Sequence, residues 1–151
     1  MKAGKKAFSG LVALGLVCGL GLIPSADACV RHLTGTLTTS AVECATLCTA
    51  GPLTGDLNGK FEFVMQEMVE TGVPNVVRYT GTNTITTDKG TLVGNNVGYW
   101  NLSTGECVDY TDLTTGTGVY AGAHGQLTIA GRYDPNTGLG ANKYIAFITT
   151  P

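Results

Sequence analysis

The chain has 151 residues, with nine Lys or Arg against eleven Asp or Glu, and is 43% hydrophobic but only 13% charged. That length and apolar content fit one packed domain. The weakly acidic balance, with no basic cluster, argues against a nucleic-acid partner, and no charge run marks an interaction tail.

In chain order, Lys2, Lys5 and Lys6 come first, then an apolar run from Leu11 to Ile23, then Ala26-Asp27-Ala28. This is the layout of an export signal with an A-x-A cleavage site. The expected domains are therefore a signal at 1–28 and a folded unit at 29–151, exported to a periplasm or to the medium. The apolar run is short of the roughly 20 residues of a spanning helix, so no membrane span is expected after cleavage. A lipoprotein signal ending at Cys29 is the weaker reading. Ala26 stands where a leucine-like residue is usual, and Asp27 is charged. Without Lys2, Lys5, Lys6 and Asp27 the unit keeps six cations against ten anions, a net charge of −4.

Cys29, Cys44, Cys48 and Cys107 remain. Four cysteines in an exported chain predict two disulfides, with three connectivities open. A Cys44–Cys48 bridge closes a very short loop and constrains little. The expected pairing ties this segment to Cys29 and to Cys107, which stabilises more. Cys44-x3-Cys48 with a distant Cys107 lacks the spacing of a zinc finger, so no metal is expected.

Val30 to Thr38 reads as a strand, and Ala41 to Ala50 as a helical turn carrying the cysteine pair. Most of the rest alternates in β fashion, rich in Thr, Val, Tyr, Ile and Phe and punctuated by glycine. Leu53 to Val69 is a long strand or a kinked pair, with Gly55 and Gly59 as corner or bulge points. In it Leu57, Phe61, Phe63, Met65 and Val69 share a face, and Glu67 falls in the same register. Further strands are expected at Val76–Thr87, Thr91–Leu102, Cys107–Thr114, Gln126–Tyr133 and Lys143–Thr149. Short turns such as Asp88-Lys89-Gly90 and Asp134-Pro135-Asn136-Thr137-Gly138 join them. The fold class is all-β. A closed antiparallel β-barrel of about eight strands removes exposed edges, and an open sandwich is the alternative.

Between the last strands lies Thr115-Gly116-Thr117-Gly118-Val119-Tyr120-Ala121-Gly122-Ala123-His124-Gly125. Its glycines predict a shaped corner with positive φ. This corner resembles the G-T-G-x-[FY]-x-x-A-x-G corner of dirigent proteins. Gly51-Pro52-Leu53-Thr54-Gly55-Asp56-Leu57-Asn58-Gly59-Lys60-Phe61-Glu62-Phe63 resembles a strand signature of bacterial allene oxide cyclase-like barrels. Gly140 to Ile148 resembles their closing strand. The resemblance implies a calycin-type barrel with an aromatic-lined cavity. Relatives of this kind include cofactor-free isomerases and cyclases and proteins that steer phenol coupling.

Glu67 is the one acid in an apolar register, so it is the candidate catalytic group: desolvation raises a carboxyl pKa and makes a usable acid or base. Reaching solvent at a strand end is its plainer role. Phe63, Met65, Tyr79, Trp100, Tyr110, Tyr133 and Tyr144 are the candidate ligand-binding set, each also suited to ordinary core packing. Arg78 and Arg132 fall in outward registers, and His32 and His124 are the only histidines. There is no G-x-S-x-G elbow, and Gly116-Thr117-Gly118 has no βαβ unit around it to hold a dinucleotide, so no cofactor is expected.

Three functions stay open. The first is an exported barrel that binds a small apolar or aromatic ligand. The second is a cofactor-free isomerase or cyclase that works by orienting its substrate. The third is a structural or surface protein with a filled barrel. An apolar pocket of about 300 Å³ or more points to the first two, and a polar group converging inside it points to the second. Oligomeric state is not legible.

Overall fold

Alternation of buried and exposed residues runs through nearly the whole chain, and such strands must close or leave edges unpaired. Here they close. The computed structural model describes residues 29–151, and the expected signal and its cleavage site lie outside them. Eight strands form one closed antiparallel barrel in chain order: β1 (Cys29–Val42), β2 (Cys48–Gly55), β3 (Gly59–Glu70), β4 (Val76–Thr87), β5 (Gly90–Asn101), β6 (Glu106–Gly116), β7 (His124–Asp134) and β8 (Leu139–Thr150). The barrel shuts by pairing β1 with β8 from Cys29↔Thr150 to Ser40↔Leu139. The open sandwich is thereby replaced, and the expected kinked pair is β2 and β3. No described helix is long and apolar enough to cross a membrane.

The two ends of the barrel differ. The turns at 56–58, 88–89 and 117–123 lie at one end, and those at 43–47, 71–75, 102–105 and 135–138 at the other. The first end is plugged. Leu57 folds in from its turn, and the glycine corner supplies buried Tyr120 and Ala123. The chain makes a short 3-10 turn at Gly118–Tyr120 and enters β7. Gly118 and Gly122 stand at φ +60° and +72°, conformations that glycine adopts freely. A Cβ on Gly118 would strike the Lys89 carbonyl. Above this plug Ile85, Leu92, Leu113, Leu127 and Ile148 fill the barrel almost without solvent contact.

Glycines inside the strands make room for aromatic rings, because a strand position without a side chain admits close approach. Tyr144 lies over Gly35, Phe63 over Gly81 and Tyr79 over Gly98, and a Cβ on any of the three glycines would run into that ring.

The segment expected to be helical is not. β1 continues to Val42, residues 44–46 bend, and β2 starts at Cys48. Pairing of Ser40 with Ala50 and Val42 with Cys48 overrides the local helical preference. The expected disulfide pairing is also corrected. Cys44 bonds Cys48 across the bend, with Cα atoms 6.0 Å apart, and Cys29 and Cys107 are free thiols.

Candidate functional site

Three neighbouring strands build the polar centre of the barrel. Tyr79 on β4, Gly98 on β5 and Asp109 on β6 stand in one row, Tyr79↔Gly98 and Gly98↔Asp109. Since Gly98 has no side chain, the Tyr79 hydroxyl crosses it and donates to Asp109 Oδ1 at 2.8 Å. Asn96 Nδ2 donates to the same oxygen at 2.8 Å. Next to them, Asn83 Nδ2 donates to Thr111 Oγ1 at 2.6 Å. Asn83 and Asn96 are only 1% and 2% exposed, yet each leaves its Oδ1 without a partner. Buried acceptors are nearly always satisfied, so two orphans beside a carboxyl call for a donor, from ordered water or from a ligand.

These groups meet a cavity of about 60 Å³ towards the end with the 43–47 turn. Its walls include Phe61, Phe63, Met65, Trp100 and Tyr133, and its polar part comprises Asn83, Tyr79 and Asp109 together with Thr39, Thr49, Cys107 and Asn142. Trp100 and Tyr133 meet edge to face, centroids 5.4 Å apart, and the indole N–H donates to the Tyr133 carbonyl at 3.3 Å. Phe63 meets Tyr79 likewise at 5.7 Å. The volume is far below the roughly 300 Å³ expected of a ligand-binding barrel, so by size alone the interior is closer to the filled barrel of the third function. It admits a few atoms, with the rest of any ligand in the mouth. A larger groove of about 410 Å³ lies outside, beside the 71–75 turn and Leu102, but no polar cluster converges on it.

Burial sets the electrostatics. Desolvation pushes the Asp109 carboxyl above its usual range, against the lowering effect of its bonds from Tyr79 and Asn96. Desolvation first, and then the charge of Asp109, push the Tyr79 phenol well above its usual value. The same causes push the Cys107 thiol up to about 12. Cys107 is therefore a thiol near neutral pH, a weak nucleophile, and it donates to Asn142 Oδ1 at 3.5 Å. The combination is a carboxyl that is protonated more readily than usual, held against a phenol. Among the described residues no group of three or more His, Cys, Asp or Glu is placed to hold a metal ion.

The residues expected from the sequence divide. Phe63, Met65, Tyr79, Trp100 and Tyr133 line the cavity. Tyr144 does not: at the plugged end its hydroxyl accepts from the Leu57 N–H at 2.9 Å. Tyr110 is corrected, since it lies on the outer wall and is 55% exposed. β6 turns Cys107, Asp109, Thr111 and Leu113 inward, the opposite phase from the one its Val108 and Tyr110 suggest. Glu67 is corrected too. The pairing Met65↔Gly81 is followed by Glu67↔Thr80, so Gln66 is an extra residue in a β-bulge. Beyond the bulge Met68 pairs with inward Tyr79, and Glu67 faces solvent. The acid of the interior is Asp109, which the sequence pattern hides among outward apolar neighbours. Arg132 is exposed beside Glu106 at 3.5 Å, and His32 stacks on Phe147 outside the barrel. No protein-family model matches the chain, and no curated protein matches it.

Proposed function

We propose that the protein is an exported β-barrel of the allene oxide cyclase-like type that holds the polar end of a small apolar or aromatic ligand. The observation that carries this reading is the orphaned acceptor Asn83 Oδ1, which lines an aromatic-walled cavity together with Asp109, with a second orphan, Asn96 Oδ1, on the residue that donates to Asp109 from behind. A barrel filled for stability alone gains from apolar packing at these positions, because an unsatisfied buried polar group costs about 1–3 kcal/mol. Trp100, the only tryptophan, lines the cavity and reports on it. Native mass spectrometry of the exported protein, with extraction of copurifying small molecules, is the test. A stoichiometric adduct that quenches or shifts Trp100 fluorescence when added back supports the reading. No adduct, with no saturable response to a panel of small aromatic and aliphatic compounds, leaves the filled structural barrel.

A second reading has its own observation. The Asp109 carboxyl, raised by burial and 2.8 Å from the Tyr79 hydroxyl, is a proton donor placed at a cavity. A cofactor-free isomerase or cyclase needs such a donor and a pocket that orients its substrate. Turnover of a bound substrate, lost in Asp109→Asn while binding persists, selects this reading over simple binding.

A further inference from the structure

We propose that the occupant of the cavity is a small protonated amine, its ammonium on Asp109 and Asn83 and its apolar body against the aromatic walls. This rests on the reading of the cavity as a ligand site and names the chemistry of the ligand.

Acceptors without partners gather at Asp109 and Asn83. Both hydrogen bonds at Asp109 go to Oδ1, so Oδ2 remains to accept. Asn83 Oδ1 has no partner and belongs to the same cavity. The Tyr79 oxygen, having donated its proton to Asp109, also keeps a lone pair. The lining also offers donors, the Thr39 and Thr49 hydroxyls and the Asn142 amide, so unfilled acceptors gather on the side of Asp109 and Asn83 and donors lie elsewhere on the wall. An ammonium brings three N–H donors, a hydroxyl brings one, and a carboxylate brings none.

Charge favours a cation at the same place. No Lys, Arg or His lines the cavity. A buried carboxylate without a cation is unfavourable, and one with a hydrogen-bonded cation is much less so. A ligand ammonium supplies the missing charge, whereas a ligand carboxylate adds a second anion. The wall fits as well. Phe63, Trp100 and Tyr133 line the cavity, and aromatic faces attract a cation as well as an apolar body.

Proton linkage follows from the same geometry. The titratable groups facing Asp109 are Tyr79 from β4 and Cys107 from β6, and both are pushed upward and stay neutral. β5 presents Asn96 and Gly98, and β7 presents Ile129. Wherever the empty cavity holds Asp109 protonated, an arriving ammonium ionises it, and one proton leaves for the buffer.

The test compares 2-phenylethylamine, 2-phenylethanol and 3-phenylpropionate on the exported protein by Trp100 fluorescence and calorimetry. The amine is expected to bind at least about tenfold more tightly than the alcohol, as a charge-assisted contact implies, with the carboxylate weakest. Asp109→Asn keeps the size of the side chain and is expected to erase that preference, the amine losing about tenfold relative to the alcohol. Calorimetry of the unaltered protein in two buffers of different ionisation enthalpy, near the Asp109 midpoint, is expected to show proton release with the amine and none with the alcohol. This arm stands even if Asp109→Asn fails to fold. An alcohol that binds as well as the amine, or an amine indifferent to Asp109→Asn, overturns the amine and leaves the ligand site intact. Failure of all three probes, together with the absence of any copurifying molecule, overturns both.

Discussion

Gly98→Ala is the sharpest test of how the polar centre is built. The methyl group would enter the Tyr79 ring, which is 6% exposed and can retreat only towards the small cavity it lines. Tyr79 must then swing away from Asp109 and lose its 2.8 Å bond. Overpacking costs about 1–3 kcal/mol, and loss of a hydrogen bond to an ionisable partner about 1.5–3 kcal/mol. The two overlap, so about 2–4 kcal/mol is expected in urea unfolding. For a domain of this size that is roughly 6–16 °C in the thermal midpoint. Tyr79→Phe removes only the hydroxyl and is expected to cost about 1–2 kcal/mol. The discriminating step is a cycle with Tyr79→Ala. Without the ring the three atoms nearest the added methyl are gone, so Gly98→Ala is then expected to cost at least about 1 kcal/mol less. An equal cost in both backgrounds would refute the packing of Tyr79 over Gly98.

Further outcomes are expected from other parts of the barrel. Gly118→Val and Gly125→Val, at φ +60° and +156°, should each cost more than about 1–2 kcal/mol, whereas Thr82→Ala on the outer wall stays within about 0.5 kcal/mol; urea midpoints decide. Thiol labelling of the unreduced, denatured 29–151 chain should find Cys29 and Cys107, with Cys44 and Cys48 appearing only after reduction; no labelled thiol before reduction would mean a second bridge. Because folding raises the Asp109 pKa, the folded state holds this proton more tightly than the unfolded chain. Its contribution is full below about pH 4, the unfolded value, and fades as pH rises through the folded value. The stability of the unaltered protein relative to Asp109→Asn should therefore fall with rising pH across that window; a difference independent of pH contradicts a buried titrating Asp109.

The strands were legible because alternation over ten or more residues leaves little choice. β4 is the clear case, with Val77, Tyr79 and Ile85 inward. The glycine corner was legible because its backbone needs positive φ, which the sequence supplies as glycine. What failed was phase. One extra residue at Gln66 turns every later β3 side chain over, and nothing in the local sequence marks it. In β6 the apolar Val108 and Tyr110 face outward while Cys107, Asp109 and Thr111 face inward, so hydrophobicity points to the wrong side. The reason is tertiary: Gly98 opens a path from Tyr79 to Asp109, and only the β4–β5–β6 register reveals it. The cysteine segment failed differently. Its helical composition yields to pairing with strands on both sides.

The most direct test of the central claim is a nitrogen-15 correlation spectrum of the 29–151 chain, titrated with 2-phenylethylamine and with any copurified molecule. The side-chain amides of Asn83 and Asn96 and the indole of Trp100 report from the cavity and its polar floor. Saturable shifts confined to these three and to the backbone of Tyr79 and Asp109 are expected. Spectra that stay unchanged there, or that move only at outer-wall positions such as Tyr110 and Phe147, contradict a ligand site inside the barrel.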